Sequence, residues 1–285
     1  MAYHDQPATY VERIQLRIEN LHRSLEFYQN ILGFTILART ESEAKLSADG
    51  LRSIVSLVQP ADIMPKVRRR AGLYHFALLL PERSDLASMV VHLVNQGLRF
   101  GSANHLVSEA IYFEDPDGNG IEIFVDTDPS TWTWTRDGVT MSSEPLDFDD
   151  LLQEAGAQAP FVHLPPATIL GHIHLHVSEL ASAERFYTQG LGFDVVTRFR
   201  DNALFLSTQR YHHHIALNTW NGAGAPPTPR NSVGLDFFTL IYPSKEALVT
   251  AAANLQRLAA PVRMERGDVI TTDPSEHEIH LTIQK

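Results

Sequence analysis

Hydrophobic and polar positions along this chain fall into two patterns, each present twice. The stretches "IQLRIENLHRSLEFYQNILGFTIL" (14–37) and "IHLHVSELASAERFYTQGLGFDVV" (173–196) both run from an alternating strand through a polar turn into an amphipathic helix ending in Phe-Tyr. Leu-Gly-Phe and a second strand follow, with Gly33 and Gly192 where the helix needs a residue at positive φ to stop. The second pattern is strand, proline turn, helix, in "LYHFALLLPERSDLASMVVHLVNQG" (73–97) and "LDFFTLIYPSKEALVTAAANLQRLA" (235–259). Each copy continues into strands that end in "DPDGNGIEIFVD" (115–126) and "DPSEHEIHLTIQ" (273–284). The patterning therefore predicts four βαβββ modules at about 10–59, 72–126, 168–220 and 233–285, with one short linker helix near Phe148–Ala155. One such module cannot cover both faces of its strands, so modules must pair into curved, cup-like sheets. The expected fold is α+β, four βαβββ modules pairing into two cup-like barrels. Along the chain they group as an N-terminal domain (1–126, modules one and two), a linker (127–167) and a C-terminal domain (168–285).

The third module opens with "ILGHIHLHVSEL", which puts His172, His174 and His176 on one strand face and an apolar row on the other. Three imidazoles in a row raise the question of a metal. The chain has no cysteine, so disulfides and thiolate chemistry are excluded and any metal must be held by His, Asp or Glu. Net charge is -11, and the one basic run, "KVRRR" (66–70), is short and isolated. It reads as a solvated loop, which argues against a nucleic-acid partner. No cationic start leads into an apolar run, and no apolar run approaches the roughly 18 residues of a membrane helix. A soluble, cytoplasmic protein with no membrane partner is expected.

The four modules, the "DPDGNGIE" turn and the "RSLEFY…LGF" signature resemble the vicinal oxygen chelate superfamily. Within it the chain is similar to two-domain type I extradiol dioxygenases of the catechol 2,3-dioxygenase kind, over nearly its whole length. The resemblance implies Fe(II) held by a His on the opening strand of one module, with a His on the opening strand and a Glu on the last strand of its partner. In module one the first slot is Arg13. Module two offers His75 and Glu122, module three offers His172, and module four has Phe237 and, in the Glu slot, His280. Neither sequential pair is complete, whereas modules two and three together supply His172, His75 and Glu122. Modules one and four would then form a cup without metal. Taken singly, His75 reads as a hydrogen-bonded core histidine and Glu122 as a solvent-facing strand residue; their joint match to three slots favours a ligand set.

The same resemblance implies further roles. His213, two residues before Ile215-Ala216, takes the catalytic slot as base for the second catechol hydroxyl and then as acid, with His214 as second choice should the strand bulge. Tyr112, ten residues before Glu122, matches a tyrosine that hydrogen-bonds the bound substrate oxygen. His105 resembles a pocket histidine, although its spacing from Tyr112 departs by two residues. His174 and His214 are expected beside the substrate, His176 as lining or cap. Tyr28 and Tyr187 read as helix-to-sheet packing. Trp132, Trp134 and Trp220, with the "NGAGAPPTP" loop (221–229), are expected to shape the mouth of the cup, while the Thr-Trp-Thr-Trp run (131–134) alternates like an edge strand and is read first as packing. Two imidazoles and one carboxylate leave Fe(II), or alternatively Mn(II), with three open positions, enough for a bidentate diol and O2. The implied partners are a small aromatic diol, O2 and further copies of the chain in a homo-oligomer. The alternatives are a glyoxalase-like lyase or isomerase, which would need a second carboxylate ligand, and a metal-free binding protein.

Overall fold

A computed structural model of the chain describes residues 3–154 and 161–284. All four modules are present. Module one contains β1 (Tyr10–Arg17), α1 (Leu21–Asn30), β2 (Thr35–Arg39), β3 (Glu43–Ser47) and β4 (Val55–Val58). Module two contains β5 (Gly72–Leu79), α2 (Arg83–Asn95), β6 (Gly101–Asn104), β7 (Ser108–Glu114) and β8 (Gly120–Asp126). The connecting segment carries a hairpin, β9 (Trp134–Thr135) and β10 (Gly138–Val139), and α3 (Phe148–Glu154). Ala155, the expected last residue of that helix, lies outside the described residues. Module three contains β11 (Ile169–His176), α4 (Leu180–Arg185) running into one π-helical turn (Phe186–Gly190), β12 (Asp194–Phe199), β13 (Ala203–Ser207) and β14 (Ile215–Asn218). Module four contains β15 (Gly234–Tyr242), α5 (Lys245–Arg257), β16 (Val262–Glu265), β17 (Asp268–Thr272) and β18 (Glu278–Ile283).

Local chemistry sets the helix ends. Asn20 caps α1 by accepting the Arg23 N–H at 2.9 Å, and Ser244 caps α5 through the Ala247 N–H at 3.2 Å. After α1 and the π turn the chain reverses at Gly33 (φ 78°) and Gly192 (φ 84°), as the Leu-Gly-Phe repeat predicts. In every module the last strand returns parallel to the first.

The sheets pair modules across the two halves of the chain. One has the order β12-β13-β14-β11-β5-β8-β7-β6, the other β16-β17-β18-β15-β1-β4-β3-β2. Each eight-stranded sheet thus takes half its strands from 1–126 and half from 168–285. Opening strands meet antiparallel at the centre, β5 with β11 and β1 with β15. One face of these four strands carries Ile14, Leu16, Phe76, Leu78, Ile173, Leu175, Phe238 and Leu240, all within one buried core cluster. The other face of each sheet is left to form a cup.

The repeated Phe-Tyr pairs do more than pack. The buried Tyr28 hydroxyl donates to Asp115 Oδ2 at 3.0 Å, and Tyr187 donates to Asp273 Oδ2 at 3.1 Å. Each tyrosine sits on the helix of one module and each aspartate opens the Asp-Pro turn of the next. Because sequential modules lie in different sheets, both bonds tie one sheet to the other. Among the described residues, no helix is long and apolar enough to cross a membrane.

Candidate metal centre

Strand register brings the three predicted residues together. Ala77 on β5 stands opposite His172 on β11 and opposite Glu122 on β8. His75 lies two residues from Ala77, on the same face. Ala77 is fully buried and offers only a methyl group, which leaves the middle of the row open. Two irregularities adjust the faces. A bulge at Gly171 keeps Leu170 in the core while His172 faces the cup; a Cβ there would meet the Phe124 ring at 2.5 Å. A second bulge at Tyr74 turns its ring onto the cup side, against His75, His174, His176 and Trp220.

His75, Glu122 and His172 are 7%, 3% and 1% exposed, and their ligand atoms lie within 4.8 Å of one another. Nε2 of His75 is 2.9 Å and Nε2 of His172 is 3.0 Å from the same oxygen, Glu122 Oε2. The His172 contact is a hydrogen bond, but the His75 contact is not directed as one, and His75 Nε2 is left buried without a hydrogen-bond partner. A buried unpartnered nitrogen is costly in a finished core. It is the expected arrangement when three donors face a common ion: bonds of about 2.1 Å at right angles put neighbouring donors about 3 Å apart. Burial opposes ionisation of Glu122, but the two imidazoles overcome it and hold the carboxyl well below the usual carboxylate range. Burial lowers His172 to about 4, against the pull of Glu122. A neutral imidazole beside an ionised carboxylate is the state a divalent cation requires of its ligands.

The cluster faces a cavity of about 370 Å³. His213 lines one side, its ring 4.1 Å from His172 and 5.1 Å from Phe205. Burial, followed by the neighbouring imidazoles, keeps His213 neutral by pushing its pKa well below the ordinary value. Tyr112 lines the other side, its hydroxyl 2.6 Å from His105 Nε2, while His105 Nδ1 lies 2.6 Å from the Ser142 carbonyl. A carbonyl only accepts, so His105 Nδ1 carries the proton and Nε2 accepts from Tyr112. The tyrosine oxygen is thereby left free to accept from a substrate hydroxyl. Burial, then the Glu122 charge, holds the Tyr112 phenol protonated, far above its usual range.

His174 lines the same cavity, held by the Asn218 amide at 2.8 Å, and Asn218 in turn accepts from His176 Nδ1 at 2.6 Å. His214 is placed differently from the expectation. Its Nε2 donates to the Tyr3 carbonyl at 2.8 Å, and it is not among the residues lining the cavity. The reason is that residues 211–214 precede β14 in an irregular bend, so strict alternation does not apply to them. Of the three tryptophans only Trp220 lines the cavity. Trp132, at the end of a 3-10 turn (Pro129–Thr131), packs with Val107, Val139 and Tyr211, and Trp134, which opens β9, lies under Arg210, so this run serves packing, as its alternation suggests, and not the mouth of the cup.

The same bend holds a contact that the sequence did not disclose. His212 Nε2 is 2.8 Å from Asp126 Oδ1, and His212 Nδ1 is 2.8 Å from His213 Nδ1. Asp126 can only accept, so His212 Nε2 is the protonated nitrogen. With one proton on His212, its Nδ1 accepts from His213 Nδ1–H, leaving the lone pair of His213 on Nε2. The signal for this was faint: an aspartate ending β8 and a second histidine in a run of three.

The sequence profile of the Glyoxalase/Bleomycin resistance protein/Dioxygenase superfamily matches residues 10–123 and 169–280. Catechol-2,3-dioxygenase of Bacillus subtilis (strain 168) is 42% identical over 93% of this chain and 94% of its own. Among solved structures, a Bacillus subtilis subsp. subtilis str. 168 protein described provisionally as a dioxygenase superposes with a TM-score of 0.65, covering 97% of this chain and 86% of that one at 12% identity. Glyoxalase I from Zea mays gives 0.58 over 96% and 92% at 13% identity, so these two likenesses speak to the fold alone. The chain belongs to the Glyoxalase/Bleomycin resistance protein/Dioxygenase superfamily and is, within it, a catechol-2,3-dioxygenase-like enzyme with a buried His-Glu-His metal site.

Proposed function

We propose that this protein is an Fe(II)-dependent extradiol dioxygenase that opens the ring of a catechol, or a substituted catechol, next to its two hydroxyls. The observation that carries this reading is the facial set of His75, Glu122 and His172, flanked by His213 and Tyr112, in a chain 42% identical to a catechol-2,3-dioxygenase. The reaction takes in both atoms of O2 and gives a 2-hydroxymuconate semialdehyde type of product. Held by His75, Glu122 and His172, a ferrous ion would offer open positions for the two diol oxygens and for O2 and would acidify the bound hydroxyls.

The chain's own groups do the rest. His213, which lines the cavity and whose Nδ1 is engaged by His212, takes the proton of the second hydroxyl on Nε2 and later returns it. Asp126 and His212 keep His213 in that tautomer. Tyr112, tethered through His105 to Ser142, accepts from the substrate's other oxygen and fixes the ring. Phe205, His174 and Trp220 wall the site and limit water. A glyoxalase-like reaction would need a second carboxylate ligand, and among the described residues the metal-capable cluster holds only Glu122. The test is anaerobic loading with Fe(II) or Mn(II), followed by O2 uptake on adding catechol. One O2 consumed per catechol, with a yellow ring-opened product, supports the reading. No uptake with either metal removes it.

A further inference from the structure

The segment ahead of β1 lies behind the metal cup and touches both halves of its chemistry. The bulge in β11 takes Gly171 out of register with β5, where a buried carbonyl needs another partner. His4 supplies it, its Nε2 lying 2.8 Å from the Gly171 carbonyl. A carbonyl only accepts, so His4 Nε2 is the donor. Tyr3, one residue earlier, engages the other side. Its carbonyl accepts from His214 Nε2 at 2.8 Å, while His214 Nδ1 accepts the Thr208 N–H at 3.3 Å. The His214 carbonyl in turn accepts the Ile173 N–H at 3.1 Å.

These contacts close a ring through Tyr3-His4, Gly171–Ile173 and His214. The ligand His172 is the middle residue of the second segment, and His213 directly precedes the third. Their imidazoles stand 4.1 Å apart. The arm is itself fixed. The Thr9 N–H donates to Thr208 Oγ1 at 2.9 Å, and that hydroxyl donates to the Thr9 carbonyl at 2.9 Å. The His4 ring lies edge-on to Tyr211 at 4.8 Å and to His214 at 5.1 Å, and Tyr3 stacks on Trp132 at 5.6 Å. Neither Tyr3 nor His4 is among the residues lining the cavity of about 370 Å³.

We infer that His4 is a positioning residue for the reaction. Through the Gly171 carbonyl, and with Tyr3 holding His214, it fixes the spacing and tilt of His172 against His213, a metal ligand against the acid–base group. Two groups that act on one substrate need that geometry held to about 0.5 Å. The inference rests on the dioxygenase reading for the role of His213.

The test uses the full chain and two substitutions. His4→Leu keeps bulk and removes the donor; His4→Gln returns an N–H the same number of bonds from the backbone. In the iron-loaded enzyme, His4→Leu should lower kcat for catechol by about 10–100-fold with KM little changed, and His4→Gln should recover most of the loss. In Co(II)-loaded protein, without catechol or O2, the visible absorption bands of the metal should shift in His4→Leu and return in His4→Gln. Should His4→Leu fail to fold, His4→Met, apolar and adaptable in shape, takes its place. Wild-type kcat together with a wild-type Co(II) spectrum in the apolar variant would overturn the inference and leave His4 as packing, whatever its thermal midpoint. So would a loss that His4→Gln shares in full. A wild-type enzyme that does not turn over catechol would remove the dioxygenase reading, and the Co(II) comparison would still decide whether His4 sets the geometry of His172.

Discussion

The two cups are built on the same register and hold opposite chemistry. In the cup of modules two and three, His172, Ala77 and Glu122 stand in one row across β11, β5 and β8, with His75 one step along. In the cup of modules one and four the matching row is Arg13, Thr239 and His280 across β1, β15 and β18, with Phe237 one step along. There Arg13 Nε donates to the Thr239 hydroxyl at 3.1 Å, Phe237 stacks on His280 at 3.9 Å, and His280 bonds Glu278 at 2.9 Å. One row leaves a buried imidazole nitrogen unpartnered beside a small alanine, whereas in the other the threonine hydroxyl and the His280 ring are already engaged. The fold thus supplies a platform, and four side chains decide whether a cation can use it.

The comparison breaks first at the ligands. His75→Ala, Glu122→Ala or His172→Ala should each drop bound metal far below one per chain and abolish turnover, by metal analysis and O2 uptake; normal metal in all three would end the assignment. Next comes His213→Phe, expected to keep metal and lose roughly 10²–10⁴-fold in kcat. Unchanged turnover would hand the acid–base role to a water. His212→Phe should cost about 10–100-fold in kcat with metal content preserved, and His212→Asn, which restores an acceptor near Nδ1, should recover much of it. A loss that appears only in KM would mean that His212 merely packs.

The ligand slots His75, Glu122 and His172 were legible through the family resemblance, which points to the opening and last strands; alternation by itself gives only the faces of β5, β8 and β11. What could not be read depended on departures from alternation or on contacts between modules. The bend over 211–214 turned His214 toward Tyr3 and His212 toward Asp126, and no period announces a bend. The bulge that swings Tyr74 into the cup is equally silent. The Tyr28–Asp115 and Tyr187–Asp273 bonds join segments far apart in sequence, so Tyr28 and Tyr187 looked like packing and no more. Ser142 reaches the site from a stretch that read as linker, because it holds His105 through its backbone, its carbonyl on Nδ1 and its N–H on the His105 carbonyl, which side-chain chemistry does not announce.

The inter-sheet bonds give a smaller, measurable effect. Tyr187→Phe should lower stability by about 1–2 kcal/mol, since it leaves the buried Asp273 without one donor. Burial opposes ionisation of Asp273, but His277 and backbone N–H groups overcome it and hold its pKa below the ordinary value. A depressed folded-state pKa contributes stability that is present above the unfolded value of about 3.9 and disappears as pH falls through the folded one. The stability gap between wild type and Asp273→Asn should therefore be widest near neutrality and close in acid, by denaturant unfolding at several pH values; a gap independent of pH would assign the effect to packing. Smallest of all, His280→Ala should leave metal content unchanged, since among the described residues the metal-capable group is His75, Glu122 and His172 and does not include His280.

The central claim is that one chain builds one metal site, from modules two and three. Anomalous diffraction at the iron edge from crystals grown after anaerobic Fe(II) loading tests it most directly. The account predicts a single peak per chain, bounded by His75, Glu122 and His172 of that same chain, with nothing beside Arg13 and His280. A peak shared between two chains, or one in the cup of modules one and four, would contradict it.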